Sequence, residues 1–352
     1  MSSLLKVANF WVKKSDNSAR CLLCPRVCTI AYGQKGWCGV REYRDRALIA
    51  LTYGKVSSAG PDPIEKKPLY HFYPGSCVYS IGGVGCNLGC LHCQNWSISR
   101  ATPENYPLRD MTPEKIVELT MKFGCNSWAA TYNEPIIWAE YVCDIGQLAA
   151  RNNIKTVLVT NGYITPKALQ EIIPYIDAAN IDIKGGEEFY KEVCLASSVK
   201  PVLKATKIMK NHGIHVEITN LIIPGKNDSE EQLEELIDWI IVNLGPETPT
   251  HFSRFSPHYK MRKLPLTPVE TLEKAYYLAK EKGLHYVYLG NVPGHHGNHT
   301  YCPNCGIRLI ARFGFDIHEY KITSENRCPD CGTPILMRGN YSKKTERSRF
   351  FW

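Results

Sequence analysis

No part of the 352-residue sequence approaches the ~18 uninterrupted apolar residues of a membrane-spanning helix. The opening MSSLLKVANFWVKKSDNSAR has no basic start followed by an apolar core and a small-residue cleavage site, so a cytoplasmic protein is expected. Charge of one sign is not in large excess. There are 42 Lys+Arg against 34 Asp+Glu, a formal balance of +8. With 44% hydrophobic and 22% charged residues, the composition excludes a disordered or fibrous chain. At roughly 150 residues per domain, the length allows about two domains or one large α/β domain with appendages.

Cysteine is abundant: there are 15. In a reducing cytoplasm so many thiols are expected to serve metals or catalysis rather than disulfides. Four come early (Cys21, Cys24, Cys28, Cys38), three together (Cys86, Cys90, Cys93) and four late (Cys302, Cys305, Cys328, Cys331). Cys77, Cys125, Cys143 and Cys194 are scattered singly and read as small buried hydrophobes.

Between residues 78 and 291, short β-branched or aromatic runs alternate with longer helical patterns, the signature of parallel strands joined by helical crossovers. Candidate strands are 78–82, 127–132, 155–160, 178–183, 214–220, 250–254 and 285–289. Thr112, Pro113 and Gly124 bracket one helix; Ser229 and Gly245 bracket another. The expected fold is an α/β partial or full TIM-like (β/α) barrel over 76–295. It is flanked by a Cys-rich segment at 1–75 and a ribbon-like module with a basic tail at 296–352. Parallel α/β folds place chemistry at the carboxyl ends of strands. There the sequence sets the Cys86 cluster, Asn133 and Glu134, Asn161, Lys184, Asn220, Arg254 and His258, and Asn291.

Gly85-Cys86-Asn87-Leu88-Gly89-Cys90-Leu91-His92-Cys93 puts three thiols at C-x3-C-x2-C directly after a strand. Three thiolates can each hold one iron of a cubane, whereas a [4Fe–4S] cluster normally takes four. The iron left over is a binding position, as the open site of a three-ligand zinc is. The plain alternatives are a zinc knuckle using Cys90 and Cys93 with a distant pair, or buried thiols.

This motif resembles that of radical S-adenosylmethionine enzymes, in the branch of the pyruvate formate-lyase activating enzyme. CLLCPRVC–GWCGVR, DPIEKKPLYHFYPG, TYNEP, VTNGY, IDIKG, LIIPGKND and GNVPG, in that order, resemble the radical enzyme of the AmmeMemoRadiSam system. The resemblance implies a [4Fe–4S] cluster on Cys86, Cys90 and Cys93 whose fourth iron binds S-adenosylmethionine. It implies reductive cleavage to methionine and a 5′-deoxyadenosyl radical that abstracts hydrogen from a substrate.

It also implies cofactor contacts. His92 takes the place that lies against adenine, or else is an outlying or solvated histidine. Asn133 and Glu134 stand in the place of a Gly-Gly-Glu-Pro segment that meets the methionine ammonium, with Tyr132 and Asn133 replacing the two glycines; Glu134 can instead cap the next helix. Thr160 and Asn161 match positions near the ribose or methionine carboxylate. Asp182 and Lys184 match a site that neutralises that carboxylate, or form a surface ion pair. His258 matches a late histidine near the adenosyl group, or is a solvated loop residue.

Cys302-Pro303-Asn304-Cys305 and Cys328-Pro329-Asp330-Cys331 form two knuckles that suit structural zinc, or a rubredoxin-type iron. Cys21, Cys24, Cys28 and Cys38 are compatible with zinc or an auxiliary iron–sulfur cluster. This early quartet departs from the simplest glycyl-radical activating enzymes. The tail from Tyr341 to Trp352 combines four basic residues with aromatics, as a nucleic-acid contact or a solvated terminus would. Expected partners are a flavodoxin- or ferredoxin-type one-electron donor and, by resemblance, AMMECR-like and Memo-like proteins. Tyr70, His71, His295 and His296 are candidates for a substrate pocket or for packed or exposed roles. Two rival functions are an activating enzyme that installs a glycyl radical and a non-catalytic zinc-ribbon protein that binds nucleic acid.

Overall fold

The computed structural model describes residues 6–342. Its centre is one eight-stranded sheet built from β1 (Ser58–Pro63), β2 (Cys77–Gly82), β3 (Ser127–Ala130), β4 (Lys155–Thr160), β5 (Ala178–Asp182), β6 (His215–Ile222), β7 (Thr250–Arg254) and β8 (Val287–Gly290). Each strand pairs with the next in sequence. β2 to β8 are parallel, and β1 is antiparallel to β2. The outer strands β1 and β8 do not pair with each other, so the barrel is partial.

These strands are near-continuous apolar runs because helices cover the sheet. All four residues of β3 are buried, and Trp128 at its centre is fully enclosed. The crossovers include α1 (Pro113–Lys122), α2 (Ala139–Arg151), α3 (Pro166–Ile172), α4 (Glu187–Glu192), α5 (Lys200–Asn211), α6 (Glu230–Leu244) and α7 (Val269–Glu281). Three of their starts carry side-chain caps: Thr112 Oγ1 accepts from Lys115 N, Thr165 Oγ1 accepts from Ala168 N, and Ser229 with Gln232 forms a reciprocal capping box. The helices thereby bring every parallel strand back in the same direction, and the carboxyl ends share one rim.

Several sequence expectations need correction. β1 has the composition SAGPDP, which reads as loop, yet it adds an edge strand to the barrel sheet. Prolines are tolerated there because an edge strand leaves half its backbone groups unpaired. β3 stops at Ala130, not at 132, because Tyr132 adopts φ 72°. β6 runs two residues further than expected, to Ile222, and β8 begins at Val287. Cys77 and Cys125 are not single buried thiols but a disulfide. The parallel register Val78–Ser127 sets the beginnings of β2 and β3 side by side, a proximity that 48 residues of separation conceal.

Tyr70 and His71 are buried. Their backbone N–H groups donate to the buried Glu217 carboxylate, which also binds His215 Nε2 and His251 Nε2. His71 Nδ1 meets Leu336 O, and Nε2 meets Tyr288 Oη. Glu217 and His251 lie near the amino-terminal ends of their strands, so this joint to the C-terminal module sits away from the cysteine rim. His295 pairs with Glu273 of α7 at 3.0 Å. Among the described residues no helix is long and apolar enough to cross a membrane. The basic tail from Lys343 onward lies outside the described residues.

Candidate functional site

At the rim the loop after β2 turns on Gly85, whose φ of 85° suits glycine. A Cβ there would run into the Cys38 carbonyl. Asn133 braces this loop: its Oδ1 accepts from Gly83 N at 2.8 Å and its Nδ2 donates to Gly85 O at 3.1 Å. Downstream, Gly89 N and Leu91 N donate to Cys194 O and Val193 O. Lys260 N donates to Leu91 O, which draws the loop after β7 against the cysteine loop. His258 sits there with Nδ1 3.0 Å from Ser256 O.

The sulfurs of Cys86, Cys90 and Cys93 do not collapse into one tight set. Among the described residues only the C-terminal quartet brings three or more ligand atoms within 4.8 Å of one another. Four sulfurs about 2.3 Å from one zinc must lie within roughly 4 Å of each other. Thiolates on separate irons of a cubane stand farther apart, because a metal–metal edge separates them. The loop's sulfurs are therefore not gathered as the ligands of a single ion would be. Leu88 N points at Cys86 Sγ at 3.4 Å, and Asn161 Nδ2 approaches the same sulfur at 3.7 Å.

Glu134, Thr160, Asn161, Asp182 and Lys184 converge beside the cysteines. The Glu134 carboxylate accepts from Ile136 N, Thr160 Oγ1 and Asn161 N at 2.7–2.9 Å. The bond to Ile136 shows that it does cap the following short helix, while its burial is complete enough to push its pKa up to about 7 against those three donors. Lys184 Nζ pairs with Asp182 at 2.8 Å. Burial alone would lower the lysine, but Asp182, Cys90 and Cys194 hold it well above its ordinary range. This pair is half-buried rather than fully solvated. His92 is buried 5.9 Å from the Phe189 ring, and its Nδ1 has no hydrogen-bond partner among the described residues. Burial, then the Lys184 charge, lowers it to about 3. Asn220 Oδ1, at the end of β6, is also buried without a partner. Two orphaned polar atoms at one rim fit a polar ligand.

Tyr132 explains how a glycine segment can be replaced. Its φ of 72° keeps the left-handed backbone that glycine favours, at a cost of about 1–2 kcal/mol. Its hydroxyl donates to Asp62, and the Lys67 ammonium lies 4.7 Å over its ring. Sequence reasoning missed Asn87 and Cys194 as members of this site. Asn87 Oδ1 accepts from Asn161 Nδ2 at 2.9 Å, and the buried Cys194 thiol lies near enough to Cys90 for the two to influence each other's ionisation. Asn87's place inside the cysteine motif was a usable signal; Cys194 carried none.

The Glu134 shift has a checkable consequence. Because its folded pKa is raised above its ordinary 4.5, its contribution is fully present below that value and lost as pH rises through about 7. Iron-free protein should lose about 3 kcal/mol from this group over that window. Glu134→Gln should flatten the fall in urea unfolding measured across the pH range; parallel curves for both proteins would contradict the assignment.

The C-terminal quartet is a separate centre. Cys302 Sγ lies 3.5 Å from Cys331 Sγ, and Cys305 Sγ lies 3.6 Å from Cys328 Sγ. Each knuckle closes with an amide turned back to its first cysteine: Gly306 N to Cys302 O and Gly332 N to Cys328 O. The spacing matches a single tetrahedral ion.

Comparison with known proteins follows the same lines. The radical SAM superfamily model matches residues 80–240. The uncharacterized protein MJ0808 of Methanocaldococcus jannaschii is 48% identical over 332 residues, covering 94% of this chain and 99% of that one. The pyruvate formate-lyase 1-activating enzyme of Escherichia coli (strain K12) is 24% identical over 160 residues, covering 43% of this chain and 63% of that enzyme. Among solved structures, a domain of a pyruvate-formate lyase-activating enzyme from Bacteroides vulgatus ATCC 8482 superposes with a TM-score of 0.40 at 16% identity. It covers 46% of this chain and 98% of that one.

Proposed function

From the premise that this chain belongs to the radical SAM superfamily, whose general reaction is cleavage of S-adenosylmethionine at an iron–sulfur cluster, we propose that Cys86, Cys90 and Cys93 hold that cluster and the rim around them binds the sulfonium cofactor. The observation that carries this is the convergence of three spread thiols with Glu134, Asp182 and Lys184 at the ends of β2, β3 and β5. When bound, the reduced cluster and cofactor supply methionine and a 5′-deoxyadenosyl radical that takes hydrogen from a substrate.

The chain's own residues bind and orient. Glu134 receives the methionine ammonium, and a cation there would draw its carboxyl back toward the ionised form. Lys184, held charged by Asp182, neutralises the methionine carboxylate, with Thr160 and Asn161 fixing the neighbouring backbone. His92 offers its unpaired Nδ1 and ring to the adenine, and His258 closes the opposite side. Asn133 acts through the loop backbone, since both ends of its amide are already engaged there. A cavity of about 400 Å³, lined by Asp62, Asn95 and Tyr132 among others, opens beside the rim as a substrate entrance.

The segments 1–75, 76–295 and 296–352 are proposed as appendage, barrel and zinc-binding module, with β1 lent to the barrel by the first. The motifs quoted above support a place in the AmmeMemoRadiSam system, with AMMECR-like and Memo-like partners, in the cytoplasm. The activating-enzyme reading is favoured by the matches to pyruvate formate-lyase activating enzymes and requires a partner that carries a persistent radical afterwards.

The decisive test is anaerobic: reconstituted protein, reductant and S-adenosylmethionine should release 5′-deoxyadenosine, and a colourless zinc protein that releases none would reject the function. Superfamily enzymes of this type need an electron donor. The +8 balance favours an acidic one. Reduction by flavodoxin should therefore slow as salt rises from about 0.05 to 0.5 M, and a salt-independent rate would remove electrostatic docking.

A further inference from the structure

Cys21, Cys24, Cys28 and Cys38 line one small cleft that also takes in Arg26, Arg41 and Asn87. No three of these sulfurs lie mutually within 4.8 Å, whereas the late quartet's four all do. One zinc would need them within roughly 4 Å. The two quartets thus differ in the property that separates a single ion from a multi-iron core.

Two guanidinium groups border the cleft. Arg41 is 1% exposed; its terminal nitrogens reach Glu140 and Asn9 O, but its Nε has no hydrogen-bond partner among the described residues. A buried donor left over beside four thiols is what a thiolate or bridging sulfide can accept from. Arg26 stacks 3.9 Å over Trp37 and donates to Asn87 O and Leu195 O, adding a second fixed charge.

The cleft abuts the C-x3-C-x2-C loop: the Cys38 carbonyl blocks any side chain at Gly85, Trp37 comes within 3.3 Å of a Cβ built at Gly89, and Asn87 belongs to both. We propose that the early quartet holds a second iron–sulfur cubane, closed by four thiolates, rather than zinc. The metal assignment stands apart from the reading of Cys86, Cys90 and Cys93; only its use, storing one electron next to that cluster, rests on it. Each cubane takes up one electron, from dithionite or a flavodoxin-class donor, and one iron pair is reduced.

The full chain carrying Cys86→Ala, Cys90→Ala and Cys93→Ala together should, after anaerobic reconstitution, keep one cubane. Iron and acid-labile sulfide should be equal, with a dithionite-induced paramagnetic signal. Adding Cys24→Ala and Cys28→Ala should remove both. Reductive titration should consume two electrons per wild-type chain and one per triple variant. A triple variant holding a second zinc and no sulfide, or holding neither, overturns the proposal. Should that variant misfold, Mössbauer spectra of iron-57-loaded wild type decide: two cubanes, one of them perturbed by S-adenosylmethionine, support it, and a single cubane overturns it. Failure of the Cys86 set alone would instead leave the triple-variant cluster intact and remove the radical reading.

Discussion

Alanine at Cys90 should reduce 5′-deoxyadenosine release to the level seen without protein and remove the iron held by the Cys86 loop. Two thiolates cannot anchor a cubane that needs at least three, and Cys194 is a further, buried thiol beside Cys90. Cys90→Ala, Cys194→Ala should therefore behave as the single variant does if Cys194 is only a neighbour. The measurement is nucleoside yield per chain under anaerobic reduction, with iron counted in the same sample. A Cys90 variant that releases as much nucleoside as wild type would reject the cluster assignment outright.

The second large effect concerns stability. Cys305→Ala, or a chelator, should unfold the module around 300–337 while leaving nucleoside formation per barrel cluster in place. Its core is small, with Cys302, Leu309, Ile310, Ile322, Cys328, Ile335 and Met337 packed against Tyr70, Tyr286 and Tyr288 of the rest of the chain. Such a core depends on its metal, and the ~10–16 kcal/mol of structural zinc in isolated fingers bounds the loss from above. Arg312, which lies 4.2 Å from the Tyr70 ring and donates to Tyr70 O, ties the module to the rest of the chain.

Acid should weaken the same joint. His71 is lowered to about 3 by burial, so its neutral form stabilises the fold above its ordinary 6.5, and that contribution is lost as pH falls toward 3. Glu217 is held below the usual carboxylate range by His215 and His251 although burial opposes it, which adds a loss in the same direction below about 4.5. Hydrogen exchange at neutral and acid pH, with and without chelator, checks both. Protection unchanged in the Cys305 variant would contradict a structural role.

Much of the architecture was legible because period and composition are local. Apolar runs bounded by capping residues locate the seven parallel strands, and two C-P-x-C-G knuckles announce a tetrahedral site whatever surrounds them. β1 was hidden because SAGPDP looks like a turn unless the chain beside it is known to need an edge. Tyr132 looked like a departure from a glycine pattern, and only its backbone angle reveals that the glycine conformation survives. Asn133 reads as a cofactor contact in the sequence, and only the structure shows that its amide also braces the cysteine loop.

By itself, the order of residues determined the chemistry on offer: which thiols come in sets, which strands carry polar ends and which helices begin where. Those properties depend on neighbours within a turn or two. Only tertiary structure decided how far apart the sulfurs of each set stand, that Cys77 meets Cys125, and that Arg41 is enclosed beside the early quartet with a donor to spare. Distances between segments follow from sheet register and packing over tens of residues, where small shifts in angle accumulate and no short window of sequence records the result.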